Sequence, residues 1–182
     1  MSGTGQIRII IRGSETRPPK SAGRVPFSAV KLTTGAQKSH VIPQDSVKKF
    51  SNLFERIGKA QLPNGERPFD PTDFLDNGQP LPSAASNANG KAIIDASQHN
   101  GSHPVINELI ETRLDAIERD LNAKLLTATP ETRNAVLAAA DAKVRNLTDS
   151  VAALSVGGVA DAAHPERRMI YNLTDPNARV LF

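Results

Sequence analysis

Residues 99–125 read HNGSHPVINELIETRLDAIERDLNAKL, and this stretch decides how the chain is organised. Pro104 stands where a first helical residue belongs, after Ser102 and His103. Ile106, Ile110, Leu114, Ile117, Leu121 and Leu125 then recur every three or four residues, which predicts a helix with one apolar stripe. Asp115 with Arg119 and Asp120 with Lys124 stand four apart, the favourable order for ion pairs along a helix. Thr129-Pro130 opens a second pattern: Leu137, Ala140, Val144, Leu147, Val151 and Leu154, ending at Gly157-Gly158. Two long amphipathic helices with a short link predict an antiparallel helical hairpin.

Upstream, the pattern shortens. Gln6–Arg12 is β-branched and reads as a strand. The segment from Gly13 to Gly35 is mostly loop, with a short strand expected over Phe27–Leu32. Lys38-Ser39-His40-Val41-Ile42-Pro43 reads as the end of a strand. Asp45 or Ser46 is expected to cap one helix over Val47–Ile57, with Phe50, Leu53, Phe54 and Ile57 on its apolar face. Residues 61–90 are rich in turn pairs such as Asn77-Gly78 and Asn89-Gly90, with no clear periodicity, and read as loop. Ala92–Ile94 is a further short strand. In the tail, only Arg179–Phe182 reads as strand. Short strands before long helices predict an α+β fold. Four regions are expected: a basic strand and loop segment over 1–36, a core over 37–126, a second long helix over 127–158 packing on that core, and a tail over 159–182.

The 182 residues contain no cysteine, which excludes disulfides and thiolate metal sites. No apolar run reaches the roughly 18 residues of a membrane span. The first residues hold no basic stretch followed by an apolar one, so an ordinary signal peptide is not expected. Aromatic residues are 4% of the chain, too few for a base-stacking platform. Net charge is only +3, but it is unevenly spread. Residues 1–60 carry 11 basic and 3 acidic side chains, a net of +8, and the remainder carries 11 and 16, a net of −5. Such asymmetry favours a polyanionic partner for the first third. Arg8, Arg12, Lys38, Lys48 and Lys49 are the cations expected near a phosphate-binding surface.

Chemistry centres on histidine. His99 and His103 are four apart, a spacing that puts both imidazoles on one side of a helical turn, where a divalent ion can be reached. Two ligands do not hold an ion by themselves, and two surface histidines at a helix start fit the same spacing. His40, at the end of its strand, fits a structural role or that of a proton acceptor near neutral pH.

Taken in order, Ser39-His40-Val41-Ile42-Pro43, an apolar-faced helix, Phe69-Asp70-Pro71, Asn89-Gly90 and His99-x-Gly-x-His103-Pro104-x-x-Asn107 resemble the AHH family of the HNH/endonuclease VII group. The resemblance runs from about Lys38 to Leu121. It implies a ββα-metal core with short strands and loops, followed by the helical hairpin. It also implies His40 as general base, Asn89 as the residue that orients it (Asn87 offers the same group), and His99 and His103 as metal ligands. Ser39 stands where the family usually has histidine, so it is adjacent to the metal position and a candidate ligand itself.

The implied activity is a metal-dependent endonuclease that cuts DNA with little sequence preference, using one divalent ion (Mg²⁺, Mn²⁺ or Zn²⁺). The family context implies the toxin domain of a bacterial effector, secreted or injected without a signal peptide. It would act in the target cytoplasm and be neutralised by a cognate immunity protein. Two other functions fit the same residues: a non-enzymatic module binding nucleic acid or protein, and a ribonuclease on the same scaffold.

Overall fold

Pro104 and Pro130 start the two longest helices where their missing N–H groups cost nothing. In the computed structural model, residues 24–31, 36–82, 104–157, 160–161 and 164–168 are described. The elements are β1 (Ala36–His40), α1 (Gln44–Lys49), α2 (Ser51–Ile57), α3 (Phe74–Asn77), β2 (Gly78–Pro82), α4 (Pro104–Thr127), α5 (Pro130–Gly157), β3 (Ala160–Asp161) and β4 (His164–Arg168). Single 3-10 turns occur at Phe27–Ala29 and Pro63–Gly65. The fold is α+β, with small antiparallel sheets and several helices, as the ββα-type reading requires.

Only Ala128 and Thr129 separate α4 from α5, so the helices fold back on one another as a hairpin. Thr132 Oγ1 accepts from Thr129 N at 2.9 Å and Thr129 Oγ1 accepts from Thr132 N at 3.4 Å, a reciprocal cap on the first turn of α5. Asp120 on α4 meets Lys143 on α5 at 2.6 Å across the hairpin. Within α4, the expected pairs Asp115–Arg119 and Asp120–Lys124 form at 2.9 Å each.

The predicted stripes are the core. Ile110, Leu114, Ile117 and Leu121 of α4 are buried with Leu137, Ala140, Val144, Leu147 and Val151 of α5. Against them pack Phe50, Leu53, Phe54 and Ile57, together with Val41, Ile42, Ala60 and Phe69. Among the described residues, no helix is long and apolar enough to cross a membrane.

β1 and β2 pair antiparallel, from Ala36 opposite Pro82 to His40 opposite Gly78. Pro80 and Pro82 withhold two N–H donors, which suits a strand at a sheet edge.

Four local expectations are corrected. The helix over Val47–Ile57 is two helices, because Phe50 lies at φ −104°, ψ 32° and interrupts the ladder. Its start is earlier than a cap at Asp45 or Ser46 would place it: Pro43 precedes Gln44, and Ser46 is buried with its hydroxyl donating to Glu111 Oε1 at 3.0 Å. Phe27–Ala29 is a 3-10 turn rather than part of a strand, closed by Ala29 N donating to Pro26 O at 2.9 Å. Residues 61–82 are not all loop but contain α3 and β2, ordered by buried polar groups rather than apolar periodicity. In the tail, β3 and β4 pair antiparallel where loop was expected. The strands expected at Gln6–Arg12, Ala92–Ile94 and Arg179–Phe182 lie outside the described residues.

Candidate active site

His40 ends β1, opposite Gly78. Its imidazole is half-buried and stacks face to face on Phe27, with centroids 3.7 Å apart and planes 12° from parallel. Phe27 meets Phe74 edge-on at 5.1 Å and 75°, the geometry that the aromatic quadrupole favours. Gly78 makes room for that ring: a Cβ there would lie 2.2 Å from Phe74 Cδ2. At the ring edge, the Gln44 side-chain amide is 3.3 Å from His40 Nε2. Burial pushes the imidazole below its ordinary value, so it is neutral and able to accept a proton at pH 7.

Immediately after His40 the chain turns into α1, and Asn77 holds that turn. Val41 N donates to Asn77 O at 2.8 Å, and Ile42 N donates to Asn77 Oδ1 at 2.7 Å. Asn77 Nδ2 donates to Ile42 O and to Pro71 O, each at 3.0 Å. The side chain is fully buried, and its amide supplies both donor and acceptor to the same backbone segment. The sequence marked Asn77-Gly78 only as a turn; an Asn directly before a strand start was the signal available. Asn77→Ala would strand the Ile42 N–H and C=O. It is expected to cost about 2–4 kcal/mol, read as a lowered urea midpoint with unchanged slope.

The loop that carries Asn77 is braced by buried charges. Asp73 Oδ1 caps α3 by accepting from Leu75 N at 2.7 Å, and its Oδ2 accepts from Val25 N at 2.9 Å. Arg67 Nη2 lies 2.7 Å from Asp73 and 3.6 Å from Asp76, ion pairs without hydrogen-bond alignment. Arg145 of α5 donates Nε to Asp141 at 2.8 Å, Nη1 to Asp76 at 3.3 Å and Nη2 to the Arg67 carbonyl at 2.7 Å. Asp141 also accepts from Phe69 N at 2.6 Å. Burial raises the Asp76 carboxyl, opposed chiefly by Arg145. These groups bond to one another and to backbone, so they join α5 to the loop rather than facing a substrate.

Ser39 does not share the face of His40. It is buried opposite Gln79, and its hydroxyl donates to the His40 carbonyl at 3.4 Å. This leaves it poorly suited to ligate an ion beside the imidazole. Among the described residues, no group of three or more His, Cys, Asp or Glu side chains is arranged to hold a metal. Asn89, His99, His103, Arg8 and Arg12 lie outside the described residues. The lysines expected at a phosphate surface have protein partners: Lys38 donates to Phe27 O, Lys48 pairs with Asp45 at 3.2 Å, and Lys49 pairs with Glu111.

A two-stranded antiparallel ribbon with a neutral histidine at its end, followed by helices, suits a ββα-type nuclease core. The chain belongs to AHH, a nuclease family of the HNH/ENDO VII superfamily with a conserved AHH, whose family model matches residues 28–147. The matched span includes β1, His40, Asn77, α4 and most of α5. No curated protein and no solved structure matches the chain.

Proposed function

We propose that the chain is a divalent-metal-dependent endonuclease that cuts DNA with little sequence preference, and that it is the toxin domain of a secreted bacterial effector. The observation that carries the catalytic reading is His40: a neutral imidazole held at a strand end inside the family-matched region. In this reading His40 accepts a proton from the attacking water as the P–O bond to the leaving oxygen breaks. Asn77 fixes the backbone that presents it, and Asn89 is assigned to orient the imidazole. His99 and His103 would hold the ion together with substrate oxygens. When bound, a divalent ion supplies charge neutralisation at the phosphate and the leaving oxygen. Both histidines must be neutral to ligate, so ion binding weakens in acid.

The basic first third supplies sequence-independent, salt-sensitive attraction to phosphates. Lys38, Lys48 and Lys49 contribute by exchanging their protein partners for phosphate oxygens. The effector reading adds delivery into a target cell, action in its cytoplasm and a cognate immunity protein as partner.

Supercoiled plasmid, incubated with metal-stripped protein and then with Mg²⁺, Mn²⁺ or Zn²⁺, tests the proposal. Nicking with at least one ion and none in chelator is expected. Intact plasmid under every ion overturns it, and faster cleavage of RNA reassigns the chain as a ribonuclease.

A further inference from the structure

The family match starts at residue 28, yet the ring that covers His40 belongs to Phe27. That segment is bound in place at several points. Arg24 Nε lies 2.6 Å from Asp70 Oδ2, Val25 N donates to Asp73 Oδ2 at 2.9 Å, and Phe74 N donates to Val25 O at 2.8 Å. Pro26 bridges to Asp73, Lys38 donates to the Phe27 carbonyl, and Val30 is buried. Asp73, which receives two of these contacts, also caps α3, the helix that ends at Asn77. One buried carboxylate therefore sets both the segment bearing Phe27 and the loop bearing the Asn77 clamp.

The two devices act on different parts of His40. Asn77 holds the backbone that follows it and leaves χ1 and χ2 free. Gln44 touches one ring edge from an exposed position. Among the described residues, Phe27 is what restricts the ring plane, because at a 3.7 Å separation a rotation about χ2 drives imidazole atoms into the phenyl face. Phe74, seated over Gly78, supports Phe27 edge-on. We infer that Phe27, outside the family-matched span, is a positioning residue that holds the His40 imidazole in its working orientation; the inference rests on His40 serving as the base. Reorientation of a reacting group by even a fraction of a turn is expensive in rate, while the affinity for a phosphate backbone held by lysines and arginines does not depend on that ring plane.

The experiment compares Phe27→Leu, Phe27→Ala and Phe27→Tyr in the whole chain, with a short DNA duplex and the activating ion. Leucine keeps apolar bulk without a flat face, so it separates stacking from simple packing. Leucine and alanine are each expected to lower kcat by about 10-fold with KM within about 2-fold, and tyrosine to return kcat to within about 2-fold of the parent. The second readout needs no substrate: the His40 ring protons, shielded by the phenyl face, are expected to move downfield in the NMR spectra of the leucine and alanine variants and stay in place with tyrosine. Parental kcat in Phe27→Leu, a tyrosine variant as slow as alanine, or unmoved His40 resonances each overturn the inference. If the parent cuts no nucleic acid, the nuclease proposal fails, and the His40 resonances alone then decide whether Phe27 holds the ring.

Discussion

His40→Ala is expected to lower the rate of phosphodiester cleavage by about 10²–10⁴-fold, the usual contribution of a positioned general base. The loss should fall on kcat, because the imidazole acts on the attacking water rather than on substrate affinity. Stability should change little. Among the described residues, the half-buried ring makes one stacking contact and one edge contact and belongs to no buried ionic network. About 1 kcal/mol is expected from truncating it. His40→Gln keeps a polar group near the same place but has no lone pair basic enough to take a proton at neutral pH, so it should be as slow as alanine. Initial rates on plasmid or duplex at saturating substrate, with the thermal midpoint recorded alongside, separate chemistry from unfolding. A His40→Ala protein that cuts as fast as its parent removes the base from the mechanism.

The largest expected effect on stability is at Arg145. Arg145→Met keeps the apolar length of the side chain and removes the guanidinium. It leaves the buried Asp141 without its cation, the buried Asp76 with only Arg67 at 3.6 Å, and the Arg67 carbonyl without its donor. Breaking one partner out of a buried ionic set costs about 3–5 kcal/mol. The guanidinium also lies 5.8 Å from the Phe69 ring centroid, so some cation–π attraction goes with it.

The loss should depend on pH, and the sign follows from Asp76. Burial already raises this carboxyl above its ordinary 3.8, and Arg145 is the main group pulling it down. Without Arg145 its folded-state value rises further. A group raised in the folded state contributes stability that is present in full below the unfolded value and lost as pH rises through the folded one. The deficit of Arg145→Met should therefore be larger at pH 8 than at pH 5, as read from urea midpoints at the two values. A deficit under about 1 kcal/mol at both would make the set equivalent to surface pairs.

Much of the helical half was legible in advance because its information is local. The spacing of Ile110, Leu114, Ile117 and Leu121, and of Leu137, Ala140, Val144, Leu147 and Val151, defines one buried face on each helix whatever the rest of the chain does. Pro104 and Pro130 mark the helix starts by their own covalent geometry. His40 at a strand end was likewise visible from its neighbours.

The site was less legible. β2 carries two prolines and no apolar alternation, so nothing local announces it; pairing with β1 makes it a strand. Asn77 resembles any turn asparagine until the backbone of Ile42, 35 residues away, arrives beside it. Asp73, Asp76 and Asp141 look like solvated charges along the chain, and Arg67 and Arg145 become their partners only in the fold. Nor did the basic excess of the first third announce that Lys48 and Lys49 pair with Asp45 and Glu111 in the fold.

By itself, the sequence determined the two long helices, their buried faces, the place of His40 and membership of a nuclease family, because apolar periodicity, proline geometry and a short motif act within a few residues. Only the tertiary structure decided what surrounds that histidine. Phe27, Gln44, Gly78 and Asn77 come from four separate elements, and a stacked ring or a buried hydrogen bond exists only once packing has brought both partners together and removed water from between them.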